Sequence, residues 1–350
     1  MIKVAILGAG IGAEHLAGYR ACADLFDVRL LCDRDQARAG AIFDGVICAD
    51  IETALGADVD VIDICLPPHL HVPVALQALA AGKHVICEKP IAGSLTDCDR
   101  LEAAARHADR QVFPVFQYRF GSATAQLQAL IQAGVAGAPL GGALQTHWNR
   151  GADYYGVPWR GTWAGEGGGA ILGHAIHSHD LICHLFGPVA QVQAALATRV
   201  NPIETEDSAA LIFQHENGAL VTSSVSLGAA QDTSQLTLMF EKLTAQSGTA
   251  PYAPMASGWT FTARAPAEQG DIDAVLDDVA PTPAGFAGFL TAVANALRGV
   301  PGAVTLADGR ASSELVSALY AADRRGATVA LPLAQNDPIY AGWLPDLQET

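Results

Sequence analysis

Met1-Ile2-Lys3-Val4-Ala5-Ile6-Leu7-Gly8-Ala9-Gly10-Ile11-Gly12-Ala13 opens the chain, and its reading decides the fold. An apolar run of strand character breaks on glycines, and a stretch of helical spacing, Ala13–Ala23, follows. In G-x-G-x-x-G/A the glycines let the backbone turn tightly and approach a pyrophosphate. The anion then meets the unpaired N–H groups of a helix N-terminus. Ala13 takes the third position and is small enough for close helix–strand packing. Gly8, Gly10, Ile11 and Gly12 are therefore candidate cofactor-binding residues. Asp33 ends the next strand-like run, Val28–Cys32, roughly 20 residues past Ala13, where a carboxylate bonds a ribose 2′-hydroxyl and repels a 2′-phosphate. NAD is thus expected rather than NADP. Arg34, beside it, is a candidate to stack on adenine or to hold that phosphate. His15 lies two residues past Ala13, either near the phosphates or on the helix surface.

Outward from this stretch, strand-like runs alternate with alanine-rich helical ones. Lys3–Leu7, Val28–Cys32, Val59–Cys65, His84–Cys87 and Val112–Phe116 read as strands. Val72–Ala81 and Cys98–His107 read as helices, and the alternation predicts a parallel sheet covered on both faces. The texture changes after Phe120. A helix over about Ala123–Ala133 leads into a glycine-, tryptophan- and histidine-rich stretch from Gly141 to His184. Strand-like runs then dominate: Ala209–His215, Ala219–Leu227, Gln235–Glu241 and Trp259–Ala263. Glu216-Asn217-Gly218 marks a hairpin between the first two. Helical stretches at Ala284–Leu297 and Asp308–Arg324 follow, and Thr249–Gly258 reads as a loop. The fold class expected is an α/β dinucleotide-binding domain over residues 1–120. An α+β domain over 121–350 follows, with a large, mostly antiparallel open sheet for substrate binding and oligomerisation.

Composition sets the outer bounds. The chain has 350 residues, half of them apolar and 16% charged, which suits two packed cores and not a disordered chain. A net charge of −16 disfavours nucleic acid and anionic membrane surfaces as partners. No apolar run approaches the ~18 residues of a membrane span. The short N-terminal run reads as a strand and not a signal peptide. Six of the seven cysteines lie before residue 100, several inside strand-like runs, without a C-x-x-C spacing. Reduced thiols in a cytoplasmic enzyme are expected.

Several further segments carry a resemblance. They are Leu66-Pro67-Pro68-His69-Leu70-His71, Ala81-Gly82-Lys83-His84-Val85-Ile86-Cys87-Glu88-Lys89-Pro90 and Gln117-Tyr118-Arg119-Phe120. Gly167-Gly168-Gly169, His177-Ser178-His179-Asp180, Asp308-Gly309-Arg310 and Val329-Ala330-Leu331-Pro332-Leu333 complete the set. With Gly8–Ala13, they make the chain resemble the glucose–fructose oxidoreductase / inositol dehydrogenase / rhizopine-catabolism (Gfo/Idh/MocA) family over nearly its whole length. The resemblance implies a nucleotide-binding domain followed by an open antiparallel sheet that covers the nicotinamide. It implies that Lys89 lines the substrate site, that the Lys89–Pro90 bond is cis, and that Glu88 contacts the nicotinamide end. Leu66, Pro67 and His71 would shape the turn beside the cofactor. A homodimer or homotetramer through the exposed sheet face is implied as well.

A lysine beside the nicotinamide can hydrogen-bond a substrate hydroxyl and stabilise the alkoxide as hydride leaves, and burial would lower its pKa toward the working range. His177 is the candidate general base. Many dehydrogenases of the family carry an aspartate four residues before that histidine; here the position is Gly173. On a helix, His174 and Asp180 share a face with His177, and Asp180 is the better candidate to orient it. His174, His177, His179, Asp180 and His184 lack the H-E-x-x-H spacing of a zinc site, so no metal is expected. Tyr154, Tyr155, Trp159, Arg160 and Trp163 are candidates to border the pocket, since aromatic faces stack on sugar C–H surfaces. Arg119 is either a substrate contact or an ion-pair partner. The function expected is NAD-dependent hydride removal from a secondary hydroxyl of a sugar, sugar derivative or cyclitol. The glycine at 173 leaves open a glycoside-cleaving enzyme that retains its NAD and works by transient oxidation. A nucleotide-binding sensor without turnover is the third reading.

Overall fold

The computed structural model describes residues 1–256 and 258–345. The chain forms two compact units. The first comprises residues 1–116 together with 286–313, and the second comprises 117–285 with the segment from Glu314 onward.

In the first unit β1 (Ile2–Leu7), β2 (Phe26–Cys32), β3 (Val46–Cys48), β4 (Val61–Ile64), β5 (His84–Cys87) and β6 (Val112–Pro114) make one sheet. Its order is β3-β2-β1-β4-β5-β6, and every pairing is parallel. Helices α1 (Gly12–Ala21), α2 (Gln36–Ile42), α3 (Ile51–Leu55), α4 (His71–Ala80) and α5 (Leu95–Ala108) connect the strands. Because helices cover a parallel sheet on both faces, its strands need no polar side; Val4 to Leu7 and Val61 to Ile64 are all buried. The order reverses between β1 and β4, and in such sheets ligands bind outside the carboxyl ends of the strands at that point.

Residues 286–313, which the sequence reading groups with the second domain, pack with the first unit. A Cβ on Gly18 of α1 would stand 2.9 Å from Phe286 Cβ and 3.2 Å from Leu290 Cδ1, so only glycine admits this crossing. Cys22 Sγ donates to Ala287 O at 3.6 Å. A Cβ on Gly309 would meet Pro114 Cγ at 2.5 Å, which gives the Asp308-Gly309-Arg310 glycine its packing role.

The second unit begins with α6 (Ser122–Gln132) and β7 (Pro139–Asn149), followed by the short α7 (Ala152–Tyr155) and α8 (Trp163–Glu166). A π-helix, Ile171–Ala175, runs into α9 (Ile176–Phe186). Then come β8 (Val189–Ala197), β9 (Ser208–His215), β10 (Leu220–Ser226), β11 (Gly228–Phe240), β12 (Leu243–Gln246) and β13 (Thr260–Ala263). Helices α10 (Gln269–Asp277), α11 (Gly285–Ala296) and α12 (Leu306–Arg325) precede β14 (Val329–Ala330); α11 and α12 each contain a unit boundary. The eight strands of the second sheet lie in the order β13-β12-β11-β7-β10-β9-β8-β14, antiparallel except for β10 against β7. The expected α/β and α+β architecture is thus what the chain adopts.

The two faces of this sheet differ sharply. Leu144, Val221, Val225, Leu236 and Leu238 are buried on the inner face, against which α9 packs. The register places Leu220, Gly141 and Met239 in one outer row, then Thr222, Ala143 and Thr237, then Ser224, Gln145 and Gln235. Ile212 faces Thr222 from β9. None of these outer positions carries a formal charge, and Leu220, Met239 and Ile212 are exposed.

Five strands escape the sequence reading: β3, β7, β8, β12 and β14. Thr249–Ala256 carries neither helix nor strand, as expected, while Ser257 lies outside the described residues. Lys89–Pro90 is cis, as the resemblance implies.

Candidate active site

The glycine loop follows β1 at the carboxyl edge of the first sheet. Gly8 has φ +102°, and a Cβ there would stand 2.4 Å from Cys65 O, so no other residue fits without moving the next strand's end. At Gly10 a Cβ would meet nothing within 4 Å: the space above the loop is open to an approaching group. A Cβ on Gly12 would lie 3.1 Å from Ile6 Cγ2, which keeps the first turn of α1 tight on the sheet. Ile11 is the N-cap and is exposed, and its side chain makes no capping hydrogen bond to the helix N-terminus. Asp33 ends β2 and accepts from Ala9 N at 2.7 Å and from Asp35 N at 2.8 Å. Its carboxylate thereby sits on the glycine loop, and exposed Arg34 follows it. The cradle fits a dinucleotide: one glycine forces the turn, a second leaves the approach open, and an acid stands at the neighbouring strand end.

Two more turns share this edge. After β4, Leu66 and Pro67 lead into α4, whose first residue, His71, is 1% exposed. Its Nδ1 lies 2.7 Å from Pro90 O and its Nε2 2.7 Å from Leu66 O, so one imidazole bridges the turns after β4 and β5. Burial pushes this ring's pKa down, and the two carbonyls oppose that by favouring the protonated form. After β5 come Glu88, buried, and Lys89, half-buried; Glu88 Oε2 accepts from the Lys89 backbone N at 3.1 Å.

His15 does not lie on the helix surface. It is 1% exposed, with Nδ1 2.9 Å from Asp63 Oδ2 and Nε2 3.1 Å from Glu88 Oε1. Tyr19, one turn on, donates to the same Asp63 oxygen at 2.9 Å. His15, Asp63 and Cys65 lie close enough to suggest a metal site. Both imidazole nitrogens lie at hydrogen-bond distance from a carboxylate, an arrangement that also suits an ion-paired ring. Nothing in the local sequence signals this cluster, because its members come from α1, β4 and the turn after β5.

In the second unit α9 carries the candidate base. His177 is 7% exposed and stacks on Tyr118, with ring centroids 4.8 Å apart. Asp180, one turn on, takes a bidentate pair from Arg119: Nε to Oδ2 at 2.7 Å and Nη2 to Oδ1 at 2.6 Å. The fork geometry holds both carboxylate oxygens. Arg119 also reaches His184 Nδ1 at 3.4 Å, so it makes the ion pair that the sequence reading weighed beside a substrate contact. His179 points to the opposite face, as its helical position requires, with Nε2 2.9 Å from Ser223 Oγ; burial pulls its pKa down to about 3.

The segment before α9 departs from α-helix. Gly173 lies in the π-helical turn, a form that recurs at functional sites. A Cβ at 173 would stand 3.7 Å from Glu166 Oε1, so a carboxylate from α8 approaches the place of the missing side chain. Sequence reasoning passed over Glu166, which is 8% exposed and accepts from Gly161 N at 2.7 Å. Gly169 anchors the same segment through Glu206. The Glu206 carboxylate accepts from Gly169 N and Ile171 N, each at 3.1 Å, and from Tyr320 OH at 3.0 Å. Burial pushes its pKa up to about 7 despite these donors.

Aromatic and guanidinium groups gather beside His174, which is 5% exposed. Its ring lies 5.0 Å from Trp148 and 5.6 Å from Tyr154. The Arg160 guanidinium sits 4.0 Å over Tyr154 and 4.8 Å over Trp159, and Tyr155 stands edge-on to Tyr154 at 5.0 Å. Arg150, which the sequence reading did not single out, lies 4.9 Å over Trp148 and pairs with Asp232 at 2.8 Å.

A parallel sheet with a glycine cradle and a strand-end acid, joined to a broad antiparallel sheet, defines an NAD-binding oxidoreductase architecture. Residues 2–116 match the model of the oxidoreductase family with an NAD-binding Rossmann fold, and residues 124–246 match that family's C-terminal domain model. The chain belongs to the GFO/IDH/MocA oxidoreductase family. It is similar to levoglucosan dehydrogenase of Pseudarthrobacter phenanthrenivorans, 31% identical over 158 residues covering 44% of this chain and 40% of that protein. Inositol 2-dehydrogenase of Salmonella typhimurium is 33% identical over 147 residues, 40% of this chain and 44% of the relative. The chain thus spans about half the length of the curated relatives it matches. Among solved structures, the WlbA dehydrogenase of Bordetella pertussis with NADH and UDP-GlcNAcA superposes with TM-score 0.83 at 26% identity, over 95% of this chain and 99% of the other. No described helix is long and apolar enough to cross a membrane.

Proposed function

We propose that the protein is an NAD-dependent dehydrogenase that takes hydride from a secondary hydroxyl of a sugar, sugar derivative or cyclitol. The observation that carries the reading is the alignment of three turns at the carboxyl ends of neighbouring parallel strands. They are the glycine loop after β1, Leu66-Pro67 after β4 and Glu88-Lys89 after β5. Gly8, Gly10, Ile11 and Gly12 would hold the pyrophosphate; Asp33 and Arg34 would meet the adenosine ribose. Leu66, Pro67, His71 and Glu88 would border the nicotinamide end. Bound NAD would supply the hydride acceptor. Lys89 would donate to the substrate oxygen and stabilise its alkoxide character, and His177 would receive the hydroxyl proton. Asp180, locked to Arg119, supports the face of α9 on which His177 stands. Tyr155, Trp159, Arg160 and His174 would line the sugar site, aromatic faces against C–H surfaces. The relatives' names, which include an inositol and an anhydrosugar dehydrogenase, support this substrate class. The seven free thiols are in keeping with a reducing, cytoplasmic setting.

The test is NADH absorbance with a panel of inositols, pyranosides and sugar acids, run with NAD and with NADP. Turnover with NAD on at least one polyol is expected; none on the whole panel, with tight NADH binding, would leave a sensor. Gly173 favours one second reading, glycoside cleavage by transient oxidation, and cleavage without net NADH would establish it.

We also propose that the uncharged outer face of the second sheet seats a second copy of this chain, giving a homodimer or homotetramer. Interface cores are depleted of charge, and this face offers three neighbouring rows with none. Thr222→Lys with Thr237→Lys is expected to yield a monomer by light scattering, with NADH affinity within about threefold of wild type. Wild type running as a monomer would remove the proposal.

A further inference from the structure

The first unit holds a buried charge cluster that hydride transfer does not itself require. Asp63 is a strand residue of β4 with no exposure, set among the buried apolar residues Val61, Ile62 and Ile64. Burying a carboxylate is costly unless it is paired and hydrogen-bonded. Here two residues four apart on α1, and therefore on one face, serve it: His15 and Tyr19 both reach Asp63 Oδ2, and Cys65 Sγ lies 3.6 Å from Oδ1. The far side of the His15 ring faces Glu88 Oε1. A neutral imidazole has one N–H, so one carboxylate would then face a lone pair at about 3 Å; with both carboxyls ionised, both contacts are satisfied only when both nitrogens carry protons. Glu88, in turn, spends its other oxygen on the Lys89 amide.

We propose that His15 is a positioning residue: an imidazolium clamped between Asp63 and Glu88, fixing the Glu88 carboxylate against the Lys89 amide and tying the glycine-loop helix to the turn that carries Lys89. The inference rests on the reading of the glycine loop and Lys89 as cofactor and substrate elements. The groups that face the ring are Asp63 and Cys65 from β4 and the turn after it, Glu88 from the turn after β5, Tyr19 from α1, and the Phe286 ring from α11 at 4.5 Å. Burial alone would push the His15 pKa down. The charges and hydrogen bonds of Asp63 and Cys65 outweigh it and hold the pKa well above the ordinary value. Without the cation, two buried carboxyl groups would face one ring with no positive charge between them.

A dinucleotide seated on the N-terminus of α1 would press on a helix whose first turn ends in His15, and His15 would pass that position to Glu88. The same ring contact holds the Glu88 carboxyl where its other oxygen accepts from the Lys89 amide.

Two readouts test this without any substrate. In 15N-histidine-labelled protein at pH 8, an ordinary ring is almost wholly neutral. One ring with both nitrogens in the imidazolium range is expected there, and it should vanish in His15→Gln. The Lys89 amide is expected to exchange its hydrogen at least 10-fold faster in His15→Gln, while the sheet amide of Val85 keeps its wild-type rate. His15→Lys, which restores a cation between the carboxylates, is expected to recover part of the Lys89 protection. A neutral His15 at pH 8, or an unchanged Lys89 amide in the folded variant, overturns the proposal. If NADH does not bind while both readouts hold, the cofactor reading fails and the clamp stands. With a substrate in hand, kcat should fall at least 10-fold in His15→Gln while NADH affinity moves less than threefold.

Discussion

Lys89→Ala is expected to lower kcat by about 10²–10⁴-fold on whichever polyol the wild type oxidises, the range of a lost acid–base or oxygen-polarising group. NADH affinity should stay within about threefold, because the cradle of Gly8 to Gly12 and the Asp33 carboxylate are untouched by the change. Stopped-flow NADH absorbance with fluorescence titration of NADH separates the two quantities. Turnover unchanged in the variant would take Lys89 out of the chemistry. The expected split follows from the placement of Lys89: Glu88 holds its backbone amide, a contact that the substitution to alanine leaves in place.

The second large effect concerns folding. A Cβ on Gly169 would stand 1.9 Å from Glu206 O, closer than any real contact, with Glu206 N and Cδ each at 2.7 Å. Gly169→Ala must therefore displace the strand-leading segment that supplies the Glu206 carboxylate, and with it the acceptor of Gly169 N, Ile171 N and Tyr320 OH. Roughly 3–5 kcal/mol of destabilisation is expected, since it combines a backbone clash with unpaired buried polar groups. That corresponds to a fall in Tm of about 6–20 °C for a unit of this size. Differential scanning calorimetry would show it, and a fall under about 2 °C would mean that the segment moves freely. Because Gly169 leads into the π-helical turn and α9, the same change is expected to disturb His177 even where the protein stays folded.

What could be read from the sequence, and what could not, divides along physical lines. Strands buried on both faces announce themselves as short apolar runs, so β1, β2, β4, β5 and β6 are all visible. β3 is only three residues long. β7 is hidden by Gly141-Gly142, which reads as a loop. In the structure these glycines let neighbouring strands approach: a Cβ on Gly141 would lie 2.6 Å from Leu220 O, and one on Gly142 3.0 Å from Thr237 O. β8 is rich in alanine and glutamine, residues that favour helix, and is held as a strand by its pairing with β9. The glycine cradle and Asp33 were legible because local spacing encodes them. The clamp on His15 was not, since Asp63 and Glu88 are brought to it by the sheet order and no local pattern records that. Glu166 escaped for a similar reason: the gap at Gly173 is visible in sequence, whereas the carboxylate beside it comes from a separate short helix.

The interleaving of the first unit bears on how the chain is made. A ribosome releases residues 1–116 well before 286–313, yet Phe286 and Leu290 cover Gly18 of α1, Phe286 lies against His15, and Pro114 receives Gly309. The nascent cofactor-binding half therefore has to wait, with part of its apolar surface bare, while the whole intervening sheet is synthesised. A chain cut after residue 116 is expected to bind an apolar dye and to aggregate, whereas fusing 286–313 to it through a flexible linker should restore a monodisperse product. A soluble, NADH-binding 1–116 fragment would show that the late segment is dispensable. In this protein the last part of the dinucleotide-binding unit to emerge is its lid of apolar side chains, and completion of the first unit is tied to translation of the second.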